Sequence, residues 1–468
     1  MRSAFGARGK YAMTAFQVRK EVLPPGPRSP SAVQLAWVIA RPTAYWKACA
    51  KRYGEPFTLR VLGLGTWVHY WSPEALRQIF TADEAALEAR EGNRIIRPLF
   101  GPNSILLLDG PVHLRRRRVL IPPLHGQPLL AHLDVIAELT NQVIAAWPVG
   151  RPFGLRPHMK TITLQVILRT VFGLDQGDQL RRLTADLTEL LEVAGSPFLL
   201  FLPGMLDRAW FGPWKRFGRL LQRTRGNILS MVAARRDAVD HPGHDVLSLL
   251  LRATDEEGHF MSDEELRDEL ISLLFAGHET TELALTWTLH LLLANPQALL
   301  RVREELASIQ GRHRLDLART LQLEYLDAVV KESLRLWPVV PAVGRRVMVP
   351  TQIGGWTIPV GVNVAPMIYL THRSPDLYPD PDLFRPERFI GVKPDPHARL
   401  PFGGGQRRCA GMAFALAEMK VVLATVLRAA RLSLAPGPSV APRRRGVLLA
   451  PTDRARVILE ERSSSPEC

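Results

Sequence analysis

Apolar residues recur every three to four positions over most of the chain, which is the spacing that places side chains on one face of a helix. This period predicts a mainly helical protein. The longest predicted helix opens with a capping sequence at Ser262 and runs to about Ala294, where Asn295-Pro296 ends it. The other predicted helices are Asp109–Leu120, Leu130–Trp147, Asp178–Val193, Trp214–Val239, His244–Ala253, Tyr325–Leu336 and one from near Cys409 to about Arg428.

An alternating pattern, which is typical of strands, is confined to two regions. Phe57–Tyr70 alternates and predicts a β-hairpin, and residues 345–370 predict short strands separated by glycine turns. Residues 376–389 are rich in proline and predict an irregular segment. Because the sequence contains no repeat and no linker-like stretch, it predicts one mainly α-helical domain with a minor β lobe.

The two ends of the chain predict short tails around one domain. The proline-rich segment Leu23–Pro27 cannot be helical and predicts the start of the folded body. Residues 1–20 carry basic and no acidic side chains, as a transit peptide does, but we favour an over-long reading frame that truly starts at Met13. We therefore expect a tail or over-long start over residues 1–22, a domain over 23–460 and a tail over 461–468.

Composition narrows the protein class. The 468 residues are 46% apolar and include 17 Phe and 10 Trp, which excludes a disordered or collagen-like chain. Three cysteines, Cys49, Cys409 and Cys468, are too few for a disulfide framework and predict a reducing, cytoplasmic location. No stretch reaches the roughly 20 apolar residues of a membrane span. The net charge of +15 predicts acidic partners without selecting among nucleic acid, anionic membrane and protein.

The most informative stretch is Phe402-Gly403-Gly404-Gly405-Gln406-Arg407-Arg408-Cys409-Ala410-Gly411. Cys409 precedes a predicted helix, whose free N–H groups and partial positive charge favour a thiolate. The glycines allow the backbone to approach a flat, bulky group, and Arg407 offers a cation to a nearby anion. A haem, with its axial ligand, flat face and two propionates, needs such a site. A buried free cysteine after a glycine-rich turn is the alternative, and the absence of Gly-Lys-Ser/Thr excludes a phosphate-binding P-loop.

This stretch resembles the haem-binding signature of the cytochrome P450 family, the haem-thiolate monooxygenases. Phe402, Gly405, Arg407, Cys409 and Gly411 fill the family pattern without departure. The resemblance implies the single triangular, mainly helical haem domain of that family. It also implies haem b (iron protoporphyrin IX) with Cys409 as the iron ligand. The expected cofactor contacts in this stretch are Phe402, Gly403, Arg407 and Gly411.

The motif Ala276-Gly277-His278-Glu279-Thr280-Thr281 lies in the middle of the longest predicted helix. A zinc-protease motif is excluded because position 282 is Glu rather than His. The motif resembles the oxygen-binding helix motif of the family, with Ala276 and Gly277 against the haem and Glu279 and Thr280 relaying protons. Thr280 lies four residues after Ala276, so we expect its hydroxyl to bond that carbonyl and open the helix. Gly277 is expected to leave space for the haem face.

A third signal is Glu332-x-x-Arg335, which precedes Phe384–Phe389, a segment similar to the family's meander motif. The same Glu-x-x-Arg spacing occurs at Glu74/Arg77, where a solvated helix pair is the simpler explanation. The resemblance implies that Glu332, Arg335 and Arg388 form a buried cluster. We expect this cluster to support folding, because losing one partner of a buried charge is costly.

Contacts to the haem propionates are implied for His113 and Arg117, which lie four residues apart on one helix face, and for Arg345. The neighbouring arginines of the same helix are expected to point outward. Together with Arg408 they would attract an acidic ferredoxin or flavodoxin that delivers electrons, with its reductase. These outward cations are Arg115, Arg116 and Arg118.

The expected reaction is insertion of one oxygen atom from O₂ into an unactivated C–H bond of an apolar substrate. Ser196–Trp214 and Val339–Val343, near Phe275 and Ala276, are expected to line the substrate pocket, although core packing explains about half of these residues equally well. Such walls suit fatty acids, terpenoids, steroids or polyketides, and no charge on these segments suggests a polar anchor.

Three rival functions are weaker. A peroxide-driven peroxygenase of the same fold would not need the Glu279-Thr280 pair, and a haem sensor or electron carrier would not need the whole 276–281 motif. A nucleic-acid binder would need a groove-reading element, and the sequence contains none. A monooxygenase of the bacterial soluble type is therefore the favoured prediction.

Overall fold

The computed structural model describes residues 23–174, 177–196, 213–237, 243, 245–309, 315–451 and 455–462. Helices dominate this part of the chain. They are α1 (Ser31–Ala40), α2 (Pro42–Tyr53), α3 (Pro73–Thr81), α4 (Ala89–Gly92), α5 (Arg97–Phe100), α6 (Gly110–Leu120), α7 (Gly126–Leu130), α8 (Leu133–Ala145), α9 (Leu155–Phe172), α10 (Asp178–Ala194), α11 (Pro213–Asp237), α12 (Val246–Arg252), α13 (Asp263–Ala294), α14 (Pro296–Ser308), α15 (Leu317–Thr320), α16 (Glu324–Leu336), α17 (Ile368–Thr371) and α18 (Met412–Ala429).

The strands form a minor β region. They are β1 (Phe57–Val61), β2 (Gly65–Tyr70), β3 (Leu87–Glu88), β4 (Pro152–Gly154), β5 (Arg345–Val347), β6 (Thr351–Ile353), β7 (Trp356–Ile358), β8 (Asn363–Pro366), β9 (Ala430–Leu434), β10 (Pro442–Arg445), β11 (Leu448–Pro451) and β12 (Arg456–Arg462). The largest sheet has the order β1-β2-β8-β5-β3, in which only β2 and β8 run parallel. β4, β12 and β9 form a second sheet, and β6-β7 and β10-β11 are hairpins.

Helix α13 is the centre of the fold and positions the site. Its start is the predicted capping box, because the Ser262 hydroxyl accepts from the Glu265 N–H while the Glu265 carboxylate accepts from the Ser262 N–H. Its side chains are buried on several faces, against α9, α11, α16 and α18. The main apolar core surrounds this helix, and smaller clusters lie under the five-stranded sheet and beside α1 and α2.

The predicted hairpin and the predicted helices are confirmed, with ends that differ by a few residues. The sequence missed α9, because its buried residues surround the helix and leave no apolar stripe to recognise. The last helix begins at Met412 rather than near Cys409. The predicted C-terminal tail starts too early, since β12 reaches Arg462.

Several predicted segments lie outside the described residues. These are the tail over residues 1–22 and most of the apolar segment Ser196–Trp214. Within the described part, no single helix is both long enough and apolar enough to cross a membrane. The bent pair α13 and α14, joined at 108°, meets that test by length and composition only.

Candidate active site

A cavity of about 790 Å³ lies between the middle of α13, the loop of residues 401–411 and strand β5. We call that loop the Cys409 loop. The cavity walls are mostly apolar. The residues that the sequence assigned to catalysis or cofactor binding all line this cavity: His113, Arg117, Ala276, Gly277, Glu279, Thr280, Arg345, Phe402, Gly403, Arg407, Cys409 and Gly411.

The Cys409 loop is folded by its own backbone. The Cys409 N–H donates to the Phe402 carbonyl at 2.9 Å, and a short 3-10 turn covers Gly405–Arg407. Gly405 has a φ of +63°, and a Cβ there would lie 2.3 Å from the Phe80 carbonyl oxygen. Glycine is therefore required at this position by both conformation and space. The turn leaves Cys409 at the cavity wall, just before α18.

The Cys409 sulfur lies deep in the protein but is open to the cavity. Burial raises the pKa of its thiol, and this effect outweighs the Gly411 N–H and the charges of Arg117 and Arg408, which act in the opposite direction. The Gly411 N–H acts in the expected direction and favours the thiolate, but burial has the larger effect on the thiol. A metal ion bound to the sulfur would supply the missing positive charge, because a coordinating thiol is deprotonated.

The middle of α13 carries the predicted threonine contact. The Thr280 hydroxyl donates to the Ala276 carbonyl at 2.5 Å, and Thr281 makes the equivalent bond to Gly277 at 2.7 Å. The helix nevertheless continues without a break from Asp263 to Ala294, so the expected opening of the helix is not observed.

Gly277 has a packing role that the sequence did not reveal. It lines the cavity, but a Cβ built on it would lie 2.9 Å from Cδ1 of Ile167 in α9. The absent side chain therefore allows α13 and α9 to pack closely. Ile167 also lines the cavity, and the space that Gly277 is expected to leave for the haem face stays a prediction.

Glu279 has a partner that the sequence did not reveal. Its Oε1 accepts from Arg445 Nε at 2.5 Å, and both side chains line the cavity with about one-sixth of their surface exposed, 16% and 15%. Arg445 ends β10, within a run of three arginines. Such a run is usually a solvated surface, so the sequence offered only a weak signal for this contact.

The predicted propionate contacts converge at one edge of the cavity. Arg345 is buried and donates to the Gly344 carbonyl at 2.8 Å, and Arg117 donates to the Arg408 carbonyl at 2.5 Å. Burial, followed by the charges of Arg407, Arg117 and Arg345, lowers the pKa of His113 to about 3, so this imidazole is neutral.

Arg407 pairs with two carboxylates that the sequence did not reveal. It contacts Asp109 and lies 3.3 Å from Glu84 Oε1. Both acids are also held by backbone N–H groups, Glu84 by Gly110 and Asp109 by Arg90.

The residues present fit a haem. Among the residues that the structure describes, the guanidinium groups of Arg117, Arg345 and Arg407 lie near the carboxylates of Glu84 and Asp109, so this edge has positive charge left for an anionic group. The Cys409 thiol is exposed at the cavity wall, where it could ligate an iron. The cavity between them is large and mostly apolar.

The predicted support cluster forms away from the cavity. Glu332 and Arg335 are both 0% exposed and share two hydrogen bonds of 2.6 and 2.8 Å. Arg388 Nε lies 3.4 Å from Glu332 Oε1, and Arg335 also donates to the carbonyls of His372 and Pro381. The cluster thus joins α16 to the segment that follows α17.

Two expectations about side-chain direction need correction. Arg116 does not point outward, since its side chain is only 7% exposed and pairs with Glu265 and Glu269 of α13. A charge that is buried between two helices is costly unless an opposite charge neutralises it. Pro341 does not line the cavity, although Val339, Val340, Ala342 and Val343 do. The Pro341 carbonyl instead accepts from the Tyr369 N–H.

Comparisons with known proteins place this arrangement in context. The family model described as Cytochrome P450 matches residues 24–459. The Mycobacterium tuberculosis protein named cytochrome P450 135B1 is 39% identical over 438 residues, covering 93% of this chain and 91% of the relative. Another protein of that organism, named cytochrome P450 138, is 37% identical and covers 94% of this chain and 97% of the relative.

Solved structures share the fold. The retinoic acid-bound cyanobacterial CYP120A1 has a TM-score of 0.83 and 27% identity, covering 94% of this chain and 99% of that one. The cytochrome P450DA heme domain has a TM-score of 0.81 and 23% identity, covering 94% and 97%.

Proposed function

The chain belongs to the cytochrome P450 family of haem-thiolate monooxygenases, and from that premise we propose that it hydroxylates an apolar organic molecule with electrons from a separate redox protein. One observation carries the proposal. The Cys409 thiol lines the same apolar cavity as Glu279 and Thr280, although Thr280 and Cys409 are 129 positions apart in the sequence.

Named residues of the chain would hold the haem. Cys409 would bind the iron, and Arg117, Arg345, Arg407 and His113 would contact the propionates. Haem with a thiolate ligand supplies the activation of O₂ and the transfer of one of its atoms to a C–H bond.

The side chains of α13 would supply protons and order water. The Thr280 hydroxyl uses its hydrogen in the bond to the Ala276 carbonyl, so its oxygen can accept a hydrogen bond from water. The Glu279 carboxylate is accessible from the cavity and can take protons from solvent there. The ion pair with Arg445 keeps that carboxylate in one place.

The apolar walls support an apolar substrate, such as a fatty acid, terpenoid, steroid or polyketide. Phe275, Val339, Val340 and Val343 line the cavity and offer burial of hydrocarbon surface. One structural relative was solved with retinoic acid, an isoprenoid acid that is mostly hydrocarbon, and this supports a largely hydrocarbon substrate.

Substitution of Cys409 tests the proposed chemistry. We expect Cys409→Ser to abolish the strongly red-shifted Soret band of the reduced carbon monoxide complex, because a neutral hydroxyl does not replace a thiolate ligand. Cys49→Ala, at a buried cysteine of α2, should retain the band. A C409S protein that keeps both the band and the oxygenation activity would contradict the proposal.

The electron donor would be an acidic ferredoxin or flavodoxin. Arg408 is exposed on the Cys409 loop, and Arg115 is half-buried on α6. Arg118 is paired with Glu256, and Arg116 is buried. We expect the double variant R115A/R408A to slow reduction by an acidic ferredoxin and to weaken its dependence on salt. Arg60→Ala, an exposed arginine of β1, is the control. Unchanged rates at every ionic strength would contradict this docking surface.

A further inference from the structure

Arg445 reaches the cavity from the β10-β11 hairpin and touches two helices. Besides its bond to Glu279 of α13, its Nη2 donates to the Leu191 carbonyl of α10 at 3.1 Å. A Cβ on Gly195, just after α10, would lie 2.5 Å from Arg445 Cζ, so this glycine leaves space for the guanidinium. The Gly446 N–H also donates to the Gly195 carbonyl at 3.2 Å. The guanidinium is therefore held between α10, α13 and its own hairpin.

Arg445 retains hydrogen-bond capacity. A guanidinium carries five N–H donors, and Nη1 of Arg445 donates to no residue within the described part of the chain. The hydroxyls of Thr280, Thr281 and Ser272, which also line the cavity, already donate to neighbours in the fold. Since Arg445 lines the same cavity and is partly exposed, it can donate to a ligand there.

The charge of Arg445 is already balanced by Glu279. A substrate carboxylate at Nη1 would lie close to the Glu279 carboxylate, and two like charges in a partly desolvated site repel each other. A neutral oxygen accepts the same hydrogen bond without this repulsion. Charge and geometry together therefore favour a ketone or ester carbonyl over a carboxylate.

We propose that Arg445 is a specificity-determining residue that binds a neutral carbonyl oxygen of the substrate. This proposal rests on the proposed monooxygenase function and deepens it. The substrate class becomes apolar ketones and esters, such as oxidised terpenoids, steroids and polyketides, and excludes free fatty acids. Glu279 then has two roles, because it neutralises the anchor as well as serving the proton path.

The experiment measures dissociation constants for matched probes with the haem-loaded protein. Two carbon frameworks are used, each as hydrocarbon, ketone and acid: dodecane, 2-dodecanone and dodecanoic acid; androstane, androstan-17-one and androstane-17-carboxylic acid. Binding is followed by the spin-state change of the haem and, independently, by equilibrium dialysis. In wild type we expect the ketone to bind about 10-fold more tightly than the hydrocarbon in at least one framework, and more tightly than the acid.

Three variants assign the effect to the ion pair. Arg445→Met should remove the advantage of the ketone and leave hydrocarbon affinity unchanged. Glu279→Gln should increase affinity for the acid, because Arg445 then lacks its counter-charge. Arg443→Met removes an exposed arginine of the same strand and should bind all probes as wild type does.

The outcomes separate this inference from the proposed function. Tighter binding of the acid than of the ketone in wild type, a ketone preference that survives in R445M, or no binding of either ketone would overturn the inference. The reduced carbon monoxide spectrum of every variant is recorded in parallel. If wild type lacks the thiolate band, the proposed function fails; if the band is present and the ketone preference is absent, only the role of Arg445 fails.

Discussion

Gly277 illustrates how one residue acquires its role from a distant neighbour. Alanine normally favours a helix over glycine by about 1 kcal/mol. Here the added Cβ would lie 2.9 Å from Ile167 Cδ1, and over-packing costs roughly 1–3 kcal/mol. Because Cδ1 is the end of a flexible side chain, the cost should lie at the lower end of that range and still offset the gain in helix propensity.

We therefore expect Gly277→Ala to leave the free energy of unfolding unchanged or to lower it by up to ~1 kcal/mol. In an Ile167→Val background, which lacks the Cδ1 methyl, the same substitution should raise it by about 1 kcal/mol. Urea unfolding of the four proteins measures the difference. Equal effects of G277A in the two backgrounds would show that Ile167 is not the limiting contact.

The pair Glu332 and Arg335 connects two elements of the fold. It lies on α16, but its hydrogen bonds reach the carbonyls of His372 and Pro381 and the N–H of Arg385, so it fastens an irregular segment to a helix. The same sequence spacing on α3, Glu74 and Arg77, forms an ion pair in solvent with side chains 61% and 59% exposed. Spacing is equal in the two cases, and burial distinguishes them.

Glu332→Gln should lower the free energy of unfolding by about 3–5 kcal/mol, because Arg335 then keeps a buried charge without its counter-ion. The yield of haem-loaded protein should fall with it. Glu74→Gln is the matched control and should leave both unchanged, since exposed pairs contribute little. Urea unfolding midpoints and haem content per chain test this, and similar losses in both variants would argue against the role of burial.

At the scale of the whole molecule, several histidines are buried and neutral. Burial lowers the pKa of His69 to about 4 and of His278 to about 3, from 6.5 in the unfolded chain. Burial also lowers the pKa of His113 and His372. As pH falls below 6.5 the unfolded chain binds protons before the folded chain does, so unfolding becomes more favourable.

Between pH 7 and pH 5, burial of His69 and of His278 should each lower the free energy of unfolding by about 2 kcal/mol. Glu269 and Glu282, whose pKa burial raises to about 8 and to about 7, should act in the opposite direction. His69→Phe should remove the contribution of His69, which is one bound proton, from the pH dependence of the free energy of unfolding. The variant should still fold, because a phenyl ring can replace the imidazole that is stacked 4.7 Å from Phe57. His259→Gln, at a side chain 77% exposed, should leave the slope unchanged. Urea titrations at several pH values measure how the free energy of unfolding changes with pH. If this dependence is the same in H69F as in wild type, the assignment to His69 is contradicted.

The sequence by itself determined the features that depend on residues close together along the chain. The ten-residue Cys409 loop, the 276–281 motif and the period of the long helices depend on local spacing, because a turn, a cap and a helix face each involve only a few neighbours. These features were sufficient to predict the family, the helical fold and a group of candidate catalytic and cofactor-binding residues, all of which line the cavity. Helix α9 escaped prediction because it is buried on most faces.

Only the tertiary structure decided which distant residues meet and how deeply they are buried. Arg445 and Glu279 are 166 positions apart, and Arg116 and Glu269 are 153 apart, so no local pattern relates them. The same holds for the contact of Gly277 with Ile167. The state of the Cys409 thiol also depends on the tertiary structure, because the cost of removing a charge from water is set by everything packed around it.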